Sequence, residues 1–198
     1  MRIFSAHSLD NSIPVALKVN SSRRGLNECQ DIDVLLAHPQ YTAEQPSQSL
    51  LGSVIDKLYS TGYITDHLTT GSTHYEGIAQ LPSQIFPTAD AVRPHRRLCF
   101  RLVPWDAFVF CQLHYTGSQA FIRHMREKAA KMGYRLSVEK LEKRTETAVE
   151  VLGADALRFT EQETRNEREE GDIVLLDSEE DIFRFLKMKF IPPHDRNW

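Results

Sequence analysis

The stretch Asp31-Ile32-Asp33-Val34-Leu35-Leu36-Ala37-His38-Pro39 alternates acid and aliphatic residues and then turns wholly apolar before a proline stops it. Period-two alternation running into an apolar segment predicts a strand whose second half is buried on both sides. On a strand, residues i and i+2 face the same way, so Asp31 and Asp33 stand side by side while Ile32 and Val34 point to the opposite face. Two neighbouring carboxylates without a cation raise each other's pKa. Paired hard oxygens suit Mg²⁺, and two such ions about 3.5–4 Å apart are the usual clamp for in-line phosphoryl transfer. Asp-x-Asp alone is common on protein surfaces. Its weight here comes from Ser21-Ser22-Arg23-Arg24-Gly25 just upstream, where small residues, guanidiniums and a glycine supply donors suited to a triphosphate.

Outward from this strand, strands and helices are mixed along the chain. Ile13 to Asn20 is a short strand ended by Ser21 and Ser22. Leu51, Val54, Ile55 and Leu58 have the spacing of a core-facing helix over Leu50 to Tyr59. Tyr63 to Leu68 and Gly77 to Leu81 are strands on either side of a Thr-Thr-Gly-Ser-Thr turn, Pro82 to Pro94 is a loop, and Arg97 to Pro104 alternates again as a strand. Phe108 to Tyr115 is expected as a further extended segment. A helix follows, with Ser118 as N-cap, an apolar stripe of Phe121, Met125, Ala129 and Met132, and Gly133 as its stop. Tyr134 to Val138 is strand-like. Glu139 to Gly171 is charged and weakly periodic, and is expected as a mobile insertion or a hairpin. The last helix starts at Ser178 in a capping-box-like Ser-Glu-Glu-Asp and carries Phe183, Phe185 and Leu186. The two prolines of the closing Ile-Pro-Pro-His-Asp-Arg-Asn-Trp forbid a continuing helix.

A chain of 198 residues suffices for one large domain or two small ones. No apolar run approaches the roughly 20 residues that span a bilayer, and the opening residues, broken by Asp10, Asn11 and Pro14, make a poor signal peptide. Cys29, Cys99 and Cys111 form no CxxC pair, as expected of reduced thiols. A net charge of −3 argues against a nucleic-acid binder, but its distribution does not. Arg93 to Arg101 contains no acid, and Arg123 to Arg144 carries eight basic residues against three acids. Glu161 to Asp181 reverses the sign with ten acids against two arginines. A basic face that meets phosphate, with an acidic segment held away from it, fits this asymmetry.

These motifs, in this order, resemble the palm of family X DNA polymerases, the polymerase beta type most closely. The resemblance runs through Ile64 to Gly71, Gln80 to Gln84, His95 to Pro104, His114 to Phe121 and Asp177 to Asn197. It implies an α+β fold: a nucleotidyltransferase-type palm, with a mixed or antiparallel sheet and flanking helices, over residues 1–105. A small α/β thumb over 106–198 follows, with the charged insertion at about 145–171. It implies a DNA-directed DNA polymerase that fills gaps in base-excision repair with two Mg²⁺ ions, Mn²⁺ being the alternative. The implied partners are gapped or primer-template DNA and a deoxynucleoside triphosphate, with no membrane, a monomeric state, and the nucleus or else the mitochondrion as compartment. The type's amino-terminal lyase and helix-hairpin-helix domains have no counterpart in these residues, so a palm and thumb alone are expected.

Carried over residue by residue, the resemblance makes Asp31 and Asp33 the metal ligands and gives Ser21 and Arg24 to the phosphates of the nucleotide. His114, Tyr115 and Gly117 fall on the turn beneath the sugar, and Gln119 and Ile122 on positions that touch the incoming base and sugar edge. Arg97 and Arg101 beside the carboxylates, and Arg123 and Arg126 on one helix face, are the implied DNA contacts. The departures fall on important positions. The third catalytic aspartate is Cys99, a soft ligand poorly matched to Mg²⁺ and, when neutral, a poor proton acceptor. Asn20 replaces the glycine of a Gly-Ser turn, His114 replaces tyrosine, and Gln119 and Ile122 replace an aspartate and an asparagine. A second reading is therefore a catalytically lapsed relative that still binds nucleotide or DNA and serves as a regulatory or interaction module.

Overall fold

Strand β2 (Asp31–Ala37) lies between the edge strand β1 and the central strand β5 of a five-stranded sheet ordered β1-β2-β5-β4-β3, with β1 at Val15–Lys18, β3 at Ile64–Thr70, β4 at His74–Ala79 and β5 at Arg96–Leu102. The computed structural model describes residues 15–26, 31–45, 49–82, 93–144 and 172–198. β2 and β5 run parallel and every other neighbouring pair is antiparallel, so the sheet is mixed, as expected. A parallel pair needs a long crossover. Here helix α2 (Leu50–Ser60) and the β3–β4 hairpin supply it.

The alternation of β2 sorts two faces. Leu36, with Leu98, Phe100 and Leu102 of β5 and Tyr75 of β4, packs against Leu51 and Ile55 of α2 in one core. On the opposite face Leu35 and Ala37 join Val19, Val103, Ala107 and Cys111 in a second apolar layer. Asp31 and Asp33 continue that second face toward the strand's amino-terminal end, beyond the apolar cover.

Phe108 to Tyr115, expected as extended, is instead the core of helix α3 (Phe108–Thr116). Its run of aromatic and aliphatic residues has no clear period, and such a run is equally a buried strand or a buried helix. The helix is wedged between two apolar layers: Cys111 faces the sheet while Val109, Phe110 and Leu113 enter the carboxyl-terminal core. A helix buried on several sides loses the one-sided stripe that would reveal it.

Helix α4 (Gln119–Lys131) starts where Ser118 caps it, its Oγ accepting from the Phe121 amide at 3.0 Å, and ends before Gly133 at φ +81°. Helix α5 (Glu179–Phe185) is capped by Ser178, which accepts from the Asp181 amide and donates to the Asp181 carboxylate at 2.6 Å. Phe121, Met125 and Ala129 meet Ile182, Phe183 and Leu186 in the carboxyl-terminal core. The charged stretch after Glu139 starts with structure: β7 (Leu141–Lys143) pairs antiparallel with β6 (Tyr134–Leu136). The rest of the expected insertion, 145–171, lies outside the described residues. Smaller shifts are that β1 stops at Lys18, β4 starts three residues earlier than expected, and Pro193–Asp195 closes one 3₁₀ turn. Among the described residues no helix is long and apolar enough to cross a membrane.

A buried ion cluster fastens the two parts together. Glu179 accepts from Arg23 at 2.7 and 3.0 Å and from Arg196 at 2.9 Å. Arg196 is fully buried, with its guanidinium 5.0 Å from the Phe121 ring and close over Phe183 and Phe190. Burial alone would raise the Glu179 carboxyl, but the hydrogen bonds and charges of Arg23 and Arg196 outweigh it and hold it below the ordinary glutamate range.

Candidate active site

Register across three strands builds the site. Asp33 of β2 stands opposite Cys99 of β5, and Cys99 stands opposite Glu76 of β4, so these three form one row across the sheet. The adjacent rows are Asp31–Arg97–Ile78 and Leu35–Arg101–His74. Paired residues point to the same face, and neighbouring strands are about 4.8 Å apart. The face therefore holds Asp31, Asp33, Glu76 and His74 interleaved with Arg97, Arg101 and the Cys99 thiol.

Asp31 is exposed, Asp33 half-buried and Cys99 buried. Burial pushes the Cys99 thiol up, Arg101 pulls it down, and the Asp33 and Glu76 carboxylates add to the rise. The net direction favours the neutral thiol. Arg97 donates to Glu76 Oε1 at 2.9 Å, which holds the Glu76 carboxyl low and Arg97 high. His74 closes the group, with Nε2 3.2 Å from Glu76 Oε1 and Nδ1 3.9 Å from Cys99 Sγ.

A pocket opens above Asp33, lined by Val19, Asn20, Asp33, Val34, Leu35, Cys99, Arg101 and Tyr115. Asn20 starts helix α1 (Asn20–Arg23) in a left-handed conformation, φ +65°, and donates its side-chain amide to Asp33 Oδ2 at 2.8 Å. Asparagine tolerates this region better than other residues bearing a Cβ. Arg101 lies 5.0 Å from the centre of the Tyr115 ring, so helix α3 leans its last turn over the sheet.

The other sequence-predicted residues divide between this pocket and the carboxyl-terminal part. Ser21 is half-buried in helix α1. Arg24 is turned to the carboxyl-terminal part, donating to the Thr116 carbonyl and to Asn197 Oδ1, each at 2.8 Å. His114 packs edge-on against Tyr115; its Nδ1 is buried with no hydrogen-bond partner among the described residues. Burial first, then Arg126 and Arg101, pushes His114 down to about 4. Gly117 admits no side chain: a Cβ there would sit 2.5 Å from Phe121 and 2.9 Å from Ile122. Ile122 is itself buried in the carboxyl-terminal core, whereas Gln119 is exposed on the first turn of α4. Arg123 is exposed, and Arg126 is half-buried and pulled down by that burial.

Sequence reasoning missed His74 and Glu76. Their signal was the alternation of His-Tyr-Glu-Gly in β4, hidden because the strand was expected to begin only at Gly77. Asn20 was identified as a departure, but its bond to Asp33 joins two residues on different elements and has no local signature.

A mixed sheet that presents a carboxylate pair on one face, followed by a small helical unit closing over it, defines a nucleotidyltransferase-type palm and thumb. The DNA polymerase beta palm model matches residues 5–105 and the DNA polymerase beta thumb model matches 111–197. The chain belongs to this family, the family X DNA polymerases. It is 29% identical to DNA polymerase lambda of Rattus norvegicus over 183 residues, covering 90% of this chain and 28% of that protein. It is 25% identical to DNA polymerase lambda of Arabidopsis thaliana over 179 residues, covering 89% of this chain and 31% of that protein. The chain thus spans less than a third of the length of either relative.

Proposed function

We propose that this chain binds a deoxynucleoside triphosphate with Mg²⁺ at Asp31 and Asp33, and DNA along the Arg123–Arg126 side of α4, as a gap-filling nucleotidyltransferase whose primer extension is slow. The observation that supports this reading is the register of Asp33 opposite Cys99, since the family resemblance expects a third carboxylate where this chain has that thiol. The donor set fits hard divalent ions in part. Asp31 and Asp33 supply oxygen ligands to a nucleotide-side ion, while Cys99 is a poor third ligand for Mg²⁺. Such ions, when bound, neutralise developing charge on the transferred phosphoryl group. The chain's own residues orient that chemistry: Tyr115 and Gly117 shape the turn over the pocket, and Arg97 and Arg101 offset the carboxylates. A repair role of this kind belongs in the nucleus, with the mitochondrion as the alternative.

The test is single-turnover gap filling by the wild type and by Cys99→Asp, with Mg²⁺ and with Mn²⁺. A positioned general base contributes about 10²–10⁴-fold, so Cys99→Asp should speed extension by about 10²-fold or more. No gain would mean that the missing carboxylate is not what limits the chain. Loss of nucleotide binding in Asp33→Ala is expected alongside, and its survival would overturn the metal assignment.

One observation favours the lapsed-relative reading. Asn20 already occupies Asp33 Oδ2, and Arg24 is spent on the Thr116 carbonyl and Asn197. In that reading the chain binds nucleotide or DNA and regulates a partner, and Cys99→Asp restores nothing.

A further inference from the structure

We propose that His74, Glu76 and Cys99 form a binding site for a soft or borderline divalent transition metal, of which Zn²⁺ is the type. The site needs neither Asp31 nor Asp33, although it shares Cys99 with the site proposed above, and it is tested without nucleotide.

Strand geometry creates it. His74 and Glu76 are i and i+2 on β4 and share a face, and the β4–β5 register puts Cys99 directly across from Glu76 and diagonal to His74. One ligand atom from each of the three lies within 4.8 Å of the others. The closest approach to the sulfur is His74 Nδ1 at 3.9 Å, which makes Nδ1 the nitrogen that faces the ion. A tetrahedral Zn²⁺ with Zn–S of about 2.3 Å and Zn–N or Zn–O of about 2.1 Å separates its ligand atoms by roughly 3.4–3.6 Å. Small rotamer adjustments therefore bring the three into range with no movement of the strands.

The chemistry of the donors selects the ion. A thiolate, an imidazole and one carboxylate favour zinc-like metals, whereas the all-oxygen pair on β2 favours Mg²⁺. The same sheet face thus sorts hard and soft cations into neighbouring places. Burial supports the assignment: Cys99 is 6% exposed, and the His74 and Glu76 side chains are 32% and 23% exposed, so the site is sheltered yet open on one side. Arg97 and His74 both bond the Oε1 atom of Glu76. An ion taken by the other carboxylate oxygen leaves the Arg97 bond in place to orient the ligand, while the His74–Glu76 bond gives way as the imidazole turns Nδ1 to the ion. Three protein ligands leave the fourth position to water, and binding releases the Cys99 thiol proton to solvent as the metal–sulfur bond forms.

The experiment uses the full chain, stripped with a chelator and titrated with Co²⁺ as a spectroscopic stand-in, followed by displacement with Zn²⁺. The expected result is one ion per chain, a thiolate-to-cobalt charge-transfer band, and loss of that band on adding equimolar Zn²⁺ but not excess Mg²⁺. Cys99→Ser should abolish the band, and His74→Ala and Glu76→Gln should each weaken binding by more than about tenfold. Circular dichroism and Zn²⁺ affinity are read on every variant, so that an unfolded variant is set aside and His74→Ala or Glu76→Gln decides instead. Cys29→Ser and Asp31→Asn should leave the band intact. Absence of the band in the folded wild type, its persistence in Cys99→Ser, or its loss in Cys29→Ser would each overturn the site. Because no nucleotide or DNA is present, failure here leaves the gap-filling result untouched, and failure of gap filling leaves this one untouched.

Discussion

Asn20 holds Asp33: the asparagine amide donates to Asp33 Oδ2 at 2.8 Å from a residue whose backbone is turned to φ +65°. One residue thus combines a strained backbone with a bond to a carboxylate at the heart of the pocket.

Replacing it separates the two effects. Asn20→Gly keeps the left-handed turn at low cost and releases Asp33, whereas Asn20→Ala releases Asp33 but strains the backbone by about 1–2 kcal/mol. Both variants are expected to bind Mg²⁺–nucleotide more tightly than the wild type by calorimetry, with Asn20→Ala the less stable of the two in urea. Equal stability of the glycine and alanine variants would show that this backbone is not held left-handed in solution.

Glu179 is the shared anion of two arginines, one of them fully buried. Removing one member of a buried ion cluster leaves the rest uncompensated, which costs about 3–5 kcal/mol. Glu179→Ala is therefore expected to lower the unfolding free energy obtained from urea titration by that amount, with little change between low and high salt because buried pairs are weakly screened. A loss under about 1 kcal/mol would place the cluster in the class of surface pairs.

These contrasts mark what was legible in the sequence. Asp31 and Asp33 could be placed together because period-two alternation is a local property, and Ser118 and Ser178 could be named as caps because a cap needs only its own first turn. Helix α3 was not legible, since Phe108 to Tyr115 shows no one-sided apolar stripe and only the two layers pressing on it decide its form. The row Asp33–Cys99–Glu76 depends on the pairing of β2, β5 and β4, a register no single segment encodes. Arg23 finds Glu179 at a separation of 156 residues, so nothing near Arg23 announces that its charge fastens the two parts rather than meeting a phosphate.

His114 gives a pH signature. Its folded-state pKa is pushed down to about 4 from the ordinary 6.5, with burial the main cause. The folded protein resists protonation that the unfolded chain accepts, so stability is whole above pH 6.5 and falls as the pH drops toward 4. At about 1.4 kcal/mol per unit, the loss across that window is about 3 kcal/mol. Glu179, held low by its arginines, adds its own loss only further down, below the ordinary glutamate range. Urea titrations between pH 7 and 4 should show the decline in the wild type and a flatter profile in His114→Gln. An unchanged slope in that variant would mean that another group governs the window.

Arg123 and Arg126 share one side of α4 but not one environment, and DNA binding should distinguish them. Arg123 is exposed with its charge fully available, whereas Arg126 is half-buried and pulled down by desolvation. Each phosphate contact contributes about one unit to the slope of log affinity against log salt. Arg123→Ala is expected to weaken gapped-duplex binding and to lower that slope by about one. Arg126→Ala should weaken binding as well, by unsettling the packing beside Met125 and Ala129, with a smaller change in slope and a measurable loss of stability. Fluorescence anisotropy across a salt series reads both quantities. A slope unchanged in Arg123→Ala would take this side of the helix out of the DNA interface.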